Sequence, residues 1–157
     1  MLQAAAEVLI GTRQRLYNGL KELTQEQWFK QPEGFANNVA WNVGHLIVAQ
    51  QGLVYSRLGL SGYITPQMVG MYRPGTSPAD WQTTPDTDEL LRLFLELPQK
   101  MAEDIAAGKF DNYVKPEGAG SGGGLSPAES VAHALIFNQY HEGVHAGNIG
   151  DLLAFVK

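Results

Sequence analysis

Two of the four histidines in this chain stand four residues apart, in the stretch HEGVHAGNIG at 141–150, with a glutamate directly after the first. On a helix, His141 and His145 lie one turn apart on one face. Two neutral imidazoles so placed suit a divalent ion, through nitrogen–metal bonds of about 2.0–2.1 Å. The same face runs through Ala134, Asn138, Ile149 and Leu152, so it is expected to turn inward. The competing reading is a pair of hydrogen-bonded polar residues on a bundle face, with no metal. His45 bears on the choice. It sits inside AWNVGHLIVA, an otherwise apolar segment, and a buried neutral polar group needs a partner. Three histidines from two helices would form a facial set with positions left for water or substrate, which is the catalytic rather than the structural arrangement.

Other readings of these residues are weaker. A zinc protease would use His141, Glu142 and His145 with the glutamate as general base. Only twelve residues follow His145, with no histidine or glutamate among them to serve as third ligand. His133 precedes His141 by about 12 Å along a helix axis and about 80° around it, so it is expected to be structural or pocket-lining rather than a ligand. Gly143, Gly147 and Gly150 weaken helix propensity and are expected to mark the close approach of another helix or a substrate. Gly118, Gly120 and Gly123 spell G-x-G-x-x-G. A dinucleotide site would need a buried strand before it, and DNYVKPE does not supply one, so a flexible linker is the expectation.

The elements that must carry these side chains are legible as helices. The spacing of Leu2, Leu9, Leu16, Leu20 and Leu23 predicts an amphipathic helix over 2–23. Thr24-Gln25-Glu26-Gln27 fits a capping box and starts a short helix carrying Trp28 and Phe29 inward. Asn37 or Asn38 caps a helix over about 39–58, closed by Gly59. The connection over 59–86 is long enough to be functional and has two further starts, Thr65-Pro66 and Ser77-Pro78. Asp86-x-x-Glu89 opens a helix over about 87–107, in which Pro98 is expected to force a kink or a split. Ser126-Pro127-Ala128-Glu129 reads as the start of a last helix running to about Ala154. No strand alternation and no internal repeat is evident, so the expected fold is all-α, a four-helix bundle with short extra helices in the loops.

Size and charge narrow the function. The 157 residues suffice for one domain, 1–157, with a real core. A formal net charge of −5 with scattered Lys and Arg argues against nucleic acid as partner. The absence of cysteine excludes disulfides and thiolate metal sites. The N-terminal stretch reads as neither signal peptide nor membrane span, so no membrane partner is expected and the default location is the cytoplasm.

Two stretches carry a family resemblance. WNVGHL at 41–46 and FNQYHEGVHAGNIGDLL at 137–153 resemble the second-helix and last-helix histidine segments of the DinB-like, or YfiT-like, superfamily of metal-dependent proteins. The helical layout and the long second connection resemble it too, so the likeness spans the chain. It implies a bundle of up-down-down-up topology, often a homodimer, with His45, His141 and His145 holding zinc, nickel or iron. It also implies a small-molecule substrate, because relatives include transferases and isomerases that use a low-molecular-weight thiol as cosubstrate. Related iron domains carry H-x-x-x-H-x-E; here Gly147 replaces that glutamate, which puts oxygenase chemistry in doubt. Trp41, Asn42, Asn138, Tyr140 and Glu142 are candidate pocket residues, with Glu142 about 100° round the helix from His141 and so not a ligand. The lead expectation is a metal-dependent transferase or hydrolase acting on a small molecule. The alternative is a non-catalytic metal-binding or dimerisation module.

Overall fold

The computed structural model of the chain describes residues 1–119 and 126–157, and no strand occurs among them. Helix α1 spans Leu2–Leu20. It stops three residues short of expectation because Thr24 is already extended to cap α2, Gln25–Phe29, through a reciprocal box with Gln27. Asn38 caps α3, Val39–Gln50, its Oδ1 accepting from Trp41 N–H at 2.9 Å. The helix continues through a widened π turn, Gln51–Tyr55, and a 3₁₀ turn, Ser56–Leu58, to Gly59 at φ +73°. Apolar on all sides, α3 is buried along nearly its whole length. Both expected starts in the 59–86 connection form: α4, Pro66–Tyr72, behind Thr65, and a 3₁₀ turn, Pro78–Asp80, behind Ser77.

Helix α5, Thr87–Ala106, runs through Pro98 without splitting. The proline has no N–H to offer the carbonyl of Phe94, one turn back. That carbonyl instead accepts from Arg13 Nη1 of α1 at 3.3 Å, so the freed group is satisfied by a neighbouring helix. Helix α6, Val131–Val156, begins at Ser130 rather than Ser126. The expected helix start at Ser126 is overturned because tertiary bonds claim backbone groups that a helix there would use. Arg57 Nε donates to Ser126 O at 2.7 Å, and Ala128 N–H donates to Arg57 O at 3.1 Å. The Tyr113 hydroxyl donates to the Ala128 carbonyl. Of the glycine motif, Gly118 takes a turn at φ +74°, while Gly120 and Gly123 lie outside the described residues.

Cross-links fix the directions of the four long helices. Going up α1, Ala5 O meets Gln139 and Arg13 meets Glu142, so α6 runs parallel to α1. Asn42 meets His145 while His45 meets His141, so α3 runs against α6. Gln50 meets Leu97 and Tyr55 meets Asp104, so α5 runs with α3. The order is up-down-down-up, with α1 and α3 each packed against both α5 and α6.

The core has two apolar clusters. Leu9, Val54, Tyr55, Met101 and Leu135 belong to one; Leu20, Leu46, Phe94, Ile149 and Leu152 belong to the other. Between them along the helices lie the buried polar residues Arg13, Gln50, Asn138 and Glu142. Arg13 is fully buried and pairs with Glu142 through Nε–Oε1 at 2.8 Å and Nη2–Oε2 at 3.1 Å. Its Nη2 also reaches Leu46 O at 2.9 Å, so one side chain ties α1 to α3, α5 and α6. The histidines sit at the edge of this layer.

Candidate metal centre

Helices α3 and α6 bring His45, His141 and His145 together, with one potential ligand atom from each lying within 4.8 Å of the others. The period of α6 stacks His141 under His145, ring centroids 4.7 Å apart. His45 enters from the antiparallel α3, its Nε2 at 3.2 Å from His141 Nε2. Two nitrogens sharing one tetrahedral ion at ordinary bond lengths would stand about 3.3 Å apart.

Hydrogen bonds set which nitrogen each ring presents. His45 Nδ1 lies 2.7 Å from the carbonyl of Tyr72, which can only accept, so Nδ1 carries the proton and Nε2 is a lone pair. That carbonyl belongs to the last residue of α4 and has no helical partner of its own. His145 Nδ1 donates to Asn42 Oδ1 at 2.9 Å, and Asn42 Nδ2 donates to Asn38 O at 2.9 Å, which settles the orientation of the amide. His145 Nε2 is therefore also a lone pair. Two anchored rings presenting lone pairs, with a third ring in contact, suit a divalent cation. His141 Nδ1 is buried without a partner among the described residues.

Electrostatics keep the rings neutral. Burial, with the neighbouring His45 and the Arg13 guanidinium, lowers His141 to about 4. Burial, with His45 and His141, lowers His145 to about 4. Burial also lowers His45, against the opposing pull of the Tyr72 carbonyl. Three unprotonated imidazoles at neutral pH need lose no proton to take a metal.

A family model described as DinB superfamily matches residues 9–149, a span that contains all three histidines and the Arg13–Glu142 pair. The chain belongs to the DinB superfamily. No curated protein matches it.

The other expected site residues of this DinB-superfamily chain divide. Trp41 stacks on His45 with centroids 4.6 Å apart and planes at 8°, its Nε1–H donating to Thr76 Oγ1 at 3.1 Å. Asn42 holds His145. Asn138 is buried on the histidine face, its Nδ2 without a partner among the described residues. Tyr140 lies elsewhere: helix period turns it outward, 68% exposed, beside Phe137. Glu142 is also outside the pocket, turned to α1 and spent on Arg13. His133, read as structural or pocket-lining, is exposed, its nearest ring neighbour being Phe137. No close approach explains Gly143, Gly147 or Gly150, because a Cβ at each would meet open space.

Sequence reasoning missed Tyr72 and Gly44. A Cβ on Gly44 would sit 2.4 Å from the Tyr72 ring, so the glycine is what lets α4 lie close enough to hold His45. The signal was there, a glycine with no local reason to stand in the apolar run beside the histidine.

Proposed function

We propose that this chain binds a divalent metal ion through His45, His141 and His145 and uses it as an enzyme on a small molecule, by small-thiol transfer or by hydrolysis. The observation that carries the reading is the anchoring of His45 and His145 through Nδ1, by Tyr72 and Asn42, which leaves each Nε2 as a lone pair. A structural site would close the coordination shell with a fourth side chain, whereas the cluster found among the described residues has three. A divalent ion held by neutral ligands lowers the pKa of a bound water or thiol and so supplies a nucleophile at neutral pH.

The chain's own residues do the rest. Asn42 and Tyr72 hold two rings in one tautomer. Trp41 covers one face of His45 and excludes water there. A cavity of about 380 Å³ opens beside His45 and His141, large enough for a small molecule. A smaller cavity of about 240 Å³, with Trp41, Asn42 and Asn37 in its wall, reaches His145 from another side. Zinc, nickel and iron all suit imidazole nitrogen.

The test is removal and return of metal. Untagged protein loaded with zinc, nickel or iron is screened for thiol transfer to electrophiles and for ester and amide hydrolysis. Turnover that vanishes with chelator and returns with metal, in a chain that stays folded, supports the enzyme. A chain that unfolds on chelation and turns over nothing supports the second reading, a non-catalytic metal-binding or dimerisation module. One feature favours that reading: Ile136, Phe137, Tyr140 and Val144 form an exposed stripe on the outer side of α6. We take a second copy of the chain as the partner of that stripe, to be checked by mass measurement in solution.

A further inference from the structure

We propose that the cavity beside His45 and His141 selects small molecules with an apolar body and a single anionic head group, a carboxylate or its like, with Arg73 receiving the charge. The proposal rests on the metal-centre reading for the chemistry that follows binding, but not for the selection itself.

The walls define the body of the ligand. Val48, Leu53, Ile64, Val69 and Pro74 line a space of about 380 Å³, which suits a chain or ring of several carbons. The charges define the head. The protein is acidic, with 16 Asp and Glu against 11 Lys and Arg, yet among the described residues no acidic one lines this cavity. Apart from the histidines, Arg73, itself exposed, is the one ionisable side chain among the described residues of the lining. Arg13 and Arg92 are paired with carboxylates, but among the described residues no carboxylate pairs with Arg73. A guanidinium offers a planar fork of donors matched to a carboxylate. A single exposed cation beside apolar walls fits one such group, not a polyphosphate.

A second donor points to the same chemistry. Gln51, at the start of the π turn, lines the cavity and is 2% exposed. Its Oε1 accepts from Tyr63 N–H at 2.8 Å, which fixes the amide so that Nε2 is the free end. That Nε2 has no partner among the described residues. Gly62 makes the arrangement possible, because a Cβ there would lie 2.7 Å from Oε1. A buried donor left unpaired favours a ligand rich in acceptors. A π turn is a common device for turning side chains toward a site. Arg73 directly follows Tyr72, whose carbonyl holds His45, so one stretch serves both the head group and the histidine centre.

The test is calorimetric titration of the full chain with octanoate and with octan-1-ol, which differ only at the head. Parent protein, Arg73→Gln and His145→Ala are compared, each with its metal content measured. The expected result is octanoate at least tenfold tighter than octanol in the parent, a preference lost in Arg73→Gln through weaker octanoate binding and kept in His145→Ala. Equal affinity for the two probes in the parent, a preference surviving in Arg73→Gln, or no binding of either at millimolar concentration overturns the proposal. A preference lost in His145→Ala but kept in Arg73→Gln assigns the carboxylate to the histidine centre, which overturns the role of Arg73 and leaves the metal reading standing. The expected pattern in a chain that takes up no metal supports this site and removes the metal reading alone.

Discussion

At the scale of single residues, Glu142 follows the first histidine of the pair, yet its carboxylate faces α1 and forms a two-bonded pair with the fully buried Arg13. Removing one partner strands a charge in the core. Arg13→Met or Glu142→Leu alone should lower unfolding free energy by about 3–5 kcal/mol, while the double substitution should cost far less than the sum. Chemical denaturation of the four proteins checks the cycle. The three histidines were legible in the sequence because a helix repeats every 3.6 residues and His45 interrupts an apolar run. Arg13 was not, since its partners come from three other helices and leave no local pattern. Asn42 stood out as a polar neighbour, but its action on His145 Nδ1 depends on how α3 crosses α6.

At the scale of elements, α4 determines how firmly His45 is held, and Gly44 determines how closely α4 approaches. Gly44→Ala should push the Tyr72 ring away and loosen the Nδ1 anchor. The expected outcome is a loss of about 1–3 kcal/mol of stability from overpacking, with weaker metal uptake, read by denaturation and metal titration. Gly143→Ala is the control. It lies on an exposed helix surface with open space around it, so alanine should add about 0.5–1 kcal/mol. Caps at Thr24, Asn38, Thr65 and Asp86 were readable because each side chain bonds the backbone a few residues on. The helix start at Ser126 was misread because Arg57 and Tyr113, distant in sequence, claim that stretch. Pro98 was expected to disturb α5; the guanidinium that satisfies the Phe94 carbonyl comes from α1, beyond any local rule.

At the scale of the whole molecule, the helical bundle followed from helix periodicity and its up-down-down-up order from a resemblance carried by two segments, and the family match over 9–149 agrees with that resemblance. No helix among the described residues is long and apolar enough to cross a membrane. The buried histidines couple the fold to pH. His141 and His145 have folded values near 4, below the ordinary value of 6.5, so the unfolded chain binds protons first as pH falls. The stability of the metal-free protein should be fully present above about pH 6.5 and should decline as pH falls from there toward 4. Thermal melts across that window check the sign. A bound metal, which takes only the unprotonated rings, should add stability at neutral pH and lose its hold as the rings protonate.

The central claim is that His45, His141 and His145 hold one ion. The most direct measurement is elemental analysis of untagged protein, purified without a metal column and incubated with zinc, nickel or iron, beside a His145→Ala variant. The account predicts about one ion per chain in the parent and a clear loss in the variant. No ion in either protein, or equal uptake by both, would contradict it and leave the three rings as a hydrogen-bonded polar cluster in a helical bundle.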